Sequence, residues 1–156
     1  MTSPLPFLSL HGVWVYAKEI IMGQREEGQN LERLFTLSEA NQLIPQLEDH
    51  LTAIRRAKGV LIRTKEEIKK ASSKAQFGGG SYAGHHYISA LEQISDRLRA
   101  IQEVGVLIKD LDMGLCDFPH QMGDRVVYLC WKSGEKEIRW WHEIHSGYTG
   151  RQPLEF

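Results

Sequence analysis

Ile101–Phe118 reads IQEVGVLIKDLDMGLCDF, and within it the spacing of the apolar residues changes from that of a helix to that of a strand. Ile101 is the last of a row spaced at threes and fours, Gly105 interrupts the row, and Val106 and Ile108 then stand two apart, as on one side of a strand. The chain before this junction is therefore expected to be helical and the chain after it a small sheet, an α+β arrangement.

Upstream, Thr36-Leu37-Ser38-Glu39 has the form of a capping box with Phe35 as the preceding apolar residue, so a helix is expected to begin there. Ala40, Leu43, Leu47, Ile54, Ala57, Leu61 and Ile68 continue it on one face, with Ile44 and Leu51 widening the stripe. Arg55, Arg56, Lys65 and Glu66 fall mostly on the solvent side. Pro45 has no amide to bond back and predicts a kink. Ser72 to His86, with Gly78-Gly79-Gly80, reads as the loop of a hairpin. Tyr87, Leu91, Ile94, Leu98 and Ile101 form a second helix, antiparallel to the first. Together these segments predict a long antiparallel, coiled-coil-like helical hairpin over residues 36–104.

Downstream, a small antiparallel β meander is expected over residues 105–156. Its strands are Val106–Ile108, Leu115–Pro119, Val126–Trp131 and Ile138–Glu143, joined at Asp112-Met113-Gly114, Met122-Gly123-Asp124 and Ser133-Gly134-Glu135. Val126, Tyr128 and Cys130 share one side of the third strand, and Ile138, Trp140 and His142 one side of the fourth. Pairing of these strands brings Cys130 near His142, whereas a slip of one residue separates them.

At 156 residues with 42% hydrophobic content, the chain has material for one modest core. Residues 31–156 are read as one domain. Residues 1–30 read as a flexible extension or a mis-assigned gene start with translation beginning at Met22, because Gly23–Asn30 has no period. Pro4 and Pro6 break the early apolar stretch and no Lys or Arg precedes it, which argues against a signal or a membrane span. Nineteen basic against 20 acidic residues give no net field toward nucleic acid or a membrane surface. Cys116 and Cys130 are too few and too far apart for a disulfide framework, and a cytoplasmic location is expected. The wide helical stripe predicts a homodimer through the hairpin, with a protein partner as the other possible occupant.

Residues used by chemistry crowd into the last forty-odd positions. Cys116, Cys130, His142 and His145 suit zinc or another divalent metal, although thirteen residues between the cysteines do not match a zinc finger. Cys130 activated by His142 is a nucleophile reading, set against a buried cysteine that acts as a small hydrophobe. Arg151, in a tail read as an ordered loop, is either an anion clamp or an ion pair with Asp117 or Glu143. The tryptophans are either a stacking platform or core.

Phe35-Thr36, Glu39-Ala40-Asn41, Leu43-Ile44-Pro45, Gly105-Val106, Lys109-Asp110, Gly114-Leu115, Asp117-Phe118-Pro119, Leu129-Cys130-Trp131, Gly134-Glu135, Trp141-His142 and Gly150-Arg151-Gln152-Pro153-Leu154 carry a resemblance. Over Leu34 to Leu154 the chain resembles a bacterial family catalogued as domain of unknown function 2203, whose members are sometimes labelled cell-division initiation proteins. The resemblance brings no established activity. It marks Asp117, Cys130, Trp131, Glu135, Trp141, His142 and Arg151 as the candidate ligand-binding residues and leaves Cys116, Trp140 and His145 outside. The expectation is a noncatalytic interaction or ligand-binding module, self-associating through the hairpin and with a polar pocket in the cap. The alternative is a small metal-dependent hydrolase in which His142 works with Asp117 or Glu135 while Arg151 grips an anionic substrate.

Overall fold

A computed structural model describes residues 33–73 and 83–155. The reading of residues 1–30, the Met22 start and the Gly78-Gly79-Gly80 run lie outside those residues. The described elements are α1 (Leu37–Ser73), α2 (Ala83–Glu103), β1 (Leu107–Asp110), β2 (Leu115–Met122), β3 (Arg125–Lys132), β4 (Trp140–His142), a 3₁₀ turn (Tyr148–Gly150) and β5 (Gln152–Pro153). Two helices followed by a five-stranded antiparallel sheet of order β1-β2-β3-β4-β5 make this an α+β helical hairpin and meander. No helix among the described residues is long and apolar enough to cross a membrane.

The chain divides into two compact units. One contains residues 56–95, where Ala57, Leu61 and Thr64 of α1 and Ala83, Ala90 and Ile94 of α2 are buried. Thr64 lies on this apolar side because its hydroxyl donates back to the carbonyl of Val60 at 2.7 Å and so satisfies itself within the helix. The hairpin loop is shorter than the glycines suggested: α2 already includes Gly84, His85 and His86, both histidines exposed, since one glycine is tolerated in a helix.

The other unit joins residues 30–55 to residues 96–156. The capping box forms as read. The Glu39 amide donates to Thr36 Oγ1 (3.1 Å) and the Thr36 amide donates to the Glu39 carboxylate (2.8 Å), which holds that carboxyl below its usual range. Just before the cap, the Phe35 amide donates to the Pro119 carbonyl and His120 Nδ1 donates to the Phe35 carbonyl, each at 2.7 Å. β1 pairs only with residues 115–117 of β2, so Pro119, which has no amide to give, sits where that ladder has ended. Phe35 and Phe118 meet edge to face with centroids 5.3 Å apart.

Polar residues of α1 grip the turns of the sheet. Glu48 accepts from the Ser133 hydroxyl (2.8 Å) and the Gly134 amide, Arg55 donates to Ser133 Oγ (3.1 Å), and Asn41 accepts from the Ile138 amide (2.8 Å). Arg55, exposed as its place on the helix predicts, thus also reaches a turn of the sheet. Because the Ile138 amide is used this way, β4 begins only at Trp140. A fifth strand, not read from the sequence, forms where the tail returns: Trp140 pairs with Pro153, and the Leu154 amide donates to the Arg139 carbonyl (2.8 Å). Ile44 and Leu51 are buried within the chain, so the width of the stripe is accounted for without a second copy.

Two glycines test the tightness of this unit. Both have positive φ, +66° at Gly114 and +64° at Gly123. A Cβ on Gly114 meets Ser133 Cβ at 2.5 Å and Arg55 Nη2 at 2.7 Å, whereas a Cβ on Gly123 meets nothing within 4 Å. Gly123→Ala is expected to cost about 1–2 kcal/mol, the strain of the left-handed backbone alone, and Gly114→Ala about 3 kcal/mol or more because packing strain adds to it. Urea unfolding of the two variants checks the order.

Candidate functional site

Register decides which side chains meet. Asp117 stands directly across from Cys130, Tyr128 across from His142, and Cys130 across from Trp140. With side chains alternating along each strand, Asp117, Cys130 and His142 fall on one face of three adjacent strands. Their ligand atoms lie within 4.8 Å of one another, and all three residues are buried, with Asp117 0% and His142 1% exposed. The sequence reading of Cys130 beside His142 therefore holds, with Asp117 as the third member.

Hydrogen bonds fix the imidazole. His142 Nδ1 lies 2.8 Å from the Glu143 carbonyl oxygen, which only accepts, so Nδ1 carries a proton and donates. His142 Nε2 lies 3.0 Å from Asp117 Oδ2. That contact needs a proton of its own, either as imidazolium against carboxylate or as neutral imidazole against carboxylic acid. Tyr128 packs edge-on to the imidazole (5.6 Å, 78°). Lys109 Nζ stands 3.8 Å from the same Oδ2 and 5.0 Å above the Tyr128 ring. Asp117 Oδ1, although buried, has no hydrogen-bond partner. The Cys130 sulfur stands within 4.8 Å of this carboxylate. An unsatisfied buried acceptor costs about 1–3 kcal/mol, so Oδ1 is where the cluster is incomplete.

Beside the triad lies a second assembly. Arg151 Nη2 reaches both oxygens of Glu135 at 3.1 Å and, more distantly, the Cys130 carbonyl at 3.5 Å. Its guanidinium lies 5.2 Å from the Trp140 ring centre and 4.8 Å from that of Tyr148, while Nε is buried without a partner. Glu135 also accepts from the Lys132 amide (2.8 Å), which fixes the turn that presents it. The ion pair read for Arg151 is real, but its partner is Glu135 rather than Asp117 or Glu143; Glu143 pairs with Arg125 at 2.9 Å.

The candidate list thus divides. Asp117, Cys130 and His142 converge, and Glu135 and Arg151 form a neighbouring pair. Trp131 and Trp141 lie on the opposite face, with Cys116, Phe118 and Leu129. Trp131 is core, its indole N–H donating to the Glu135 carbonyl (2.9 Å), and Trp141 packs near Arg125. Trp140, set aside in the sequence reading, is the tryptophan that stacks on Arg151. Lys109 and Tyr128 went unread as site residues; the signal available was their period-two placement with Asp117 and His142. His145 is exposed and separate from the triad.

Burial pushes the Cys130 thiol up to about 12, with the Asp117 charge adding to the rise and Arg151 opposing it. Cys116 is also raised, by burial first and then by Asp117. Near neutral pH both are neutral thiols, which weighs against Cys130 as a nucleophile and leaves it as a donor atom awaiting a partner stronger than a proton. In the native, metal-free chain, an aromatic disulfide reagent at pH 8 is expected to modify neither cysteine within the time that labels free cysteine, and both after unfolding in urea. Rapid labelling of Cys130 in the native chain contradicts this.

No curated protein and no solved structure matches this chain. The family described as an uncharacterized conserved protein (DUF2203) matches residues 33–154, a span that includes the cap of α1, all five strands and every member of both assemblies. The chain therefore belongs to the DUF2203 family.

Proposed function

We propose that this protein is a noncatalytic binding module whose ligand sits at the Asp117–Cys130–His142 face of the cap. The observation that carries this reading is the buried Asp117 Oδ1, left without a partner in a cluster where the ligand atoms of Asp117, Cys130 and His142 lie within 4.8 Å of one another. Core residues kept only for packing satisfy their polar atoms. A carboxylate with one oxygen held by His142 and the other open is set up to receive something. Burial of the triad favours tight holding over turnover, because a hydrolase has to admit and release its substrate repeatedly. Glu135, Arg151, Trp140 and Tyr148 act in this reading as the clasp that keeps the tail over the triad.

Self-association through the hairpin belongs to the same proposal. Ile62 on α1 and Ile88 on α2 support it, left 44% and 57% exposed. A reducing, cytoplasmic setting is consistent with two unpaired cysteines.

Mass spectrometry of the tag-free full chain, sprayed from non-denaturing solution, tests the binding reading. The expected result is a mass above that of the denatured chain, with occupancy falling roughly tenfold or more in Asp117→Asn, as loss of a charged contact implies. Identical native and denatured masses contradict it.

A further inference from the structure

We infer that the ligand of the Asp117–Cys130–His142 triad is a single zinc-class divalent metal ion, an inference that rests on the binding reading above and names its occupant. A sulfur, an imidazole nitrogen and a carboxylate oxygen form a donor set that suits zinc and its neighbours and disfavours magnesium and calcium, which require oxygen alone. Three adjacent strands each supply one ligand, which is why the sequence lacks the tight paired spacing of a zinc finger.

The surroundings of the triad match what such a site requires. His142 spends Nδ1 on the Glu143 carbonyl and turns Nε2 toward the other two donors, the arrangement that fixes a metal-binding imidazole in orientation and tautomer. The proton that must lie between Nε2 and Asp117 Oδ2 marks the position that the metal takes, and it leaves to water as the metal enters. Oδ1 supplies a second carboxylate oxygen in need of a partner. Donors at zinc bond lengths lie about 3.3–3.8 Å apart, so the present spread, within 4.8 Å, asks for a contraction of at most about 1–1.5 Å, within reach of side-chain rotation. As the metal–sulfur bond forms, the Cys130 thiol proton leaves to water. Thiolate and carboxylate then neutralise the divalent ion, while Lys109, 3.8 Å from Oδ2, remains as an outer partner of the carboxylate. Three protein ligands leave one coordination position for water or an incoming group.

The test is titration of the chelator-stripped, tag-free full chain with cobalt(II), followed by zinc. The expected result is saturation at one cobalt per chain with a thiolate-to-cobalt charge-transfer absorption in the near ultraviolet, bleached by zinc. Cys116→Ala should keep the absorption and Cys130→Ala should lose it. His85 and His86, exposed on the first turn of α2, carry no sulfur and cannot produce it. Should Cys130→Ala fail to fold by circular dichroism, His142→Gln, which keeps similar size, decides: its cobalt affinity should fall about 100-fold or more. A wild-type chain without the absorption, or one whose absorption depends on Cys116 instead, overturns the inference. If the chain keeps an extra mass in native spray yet takes up no cobalt, the metal is wrong and the binding reading survives; if neither is seen, the binding reading itself falls.

Discussion

A carboxylate with no solvent exposure in the second strand of a five-stranded sheet is the constraint around which this unit is arranged. Removing an isolated carboxylate from water costs several kcal/mol even after relaxation, so Asp117 at that position obliges the fold to bring compensation from other strands. β4 brings His142, β1 brings Lys109, and the thiol of Cys130 stands directly opposite on β3. The register of four strands is thereby tied to one side chain. A slip of one residue in any of them turns its contribution to the other face and strands the charge.

The same reasoning accounts for the tail. After β4, Glu143 turns its carbonyl to His142 Nδ1 and to Ser146, which ends the strand, and the chain returns through the Tyr148–Gly150 turn to add β5. That return sets Arg151 between Trp140 and Tyr148 and against Glu135. On the α1 side, Asn41, Glu48 and Arg55 hold the sheet by its turn amides and hydroxyl rather than by apolar contact alone. These are long-range polar contacts, satisfied only in the native arrangement, and they specify one docking of helix on sheet.

How far these features are legible in the sequence follows from their range. The helix start at Thr36, the helical stripes, the junction at Gly105, the turns at Gly114, Gly123 and Gly134 and the two faces of β3 are set by neighbours three or four residues apart, and local pattern carries them. That Cys130 and His142 could share a face was readable as soon as β3 was paired with β4, because period two leaves only two face assignments to consider. Other features depended on partners far along the chain. Nothing near Arg55 in the sequence marks its bond to Ser133, and Gln152–Pro153 is too short to show a period. Trp140 and Trp141 differ only in which face the register assigns, and the tail that selects Trp140 for Arg151 is not written in either residue. Lys109 shows only the period of its strand, and any lysine in a strand reads as solvent-facing until the strand opposite holds a buried acid.

Asp117 and His142 act as one unit in holding this sheet together. A double-mutant cycle measures it directly: urea unfolding of wild type, Asp117→Asn, His142→Gln and the double variant, all freed of metal. Each single change is expected to cost about 3 kcal/mol or more, because a buried polar group loses its partner, and the double variant little beyond either one, a coupling of about 2 kcal/mol or more. Costs that simply add, to within about 0.5 kcal/mol, contradict it.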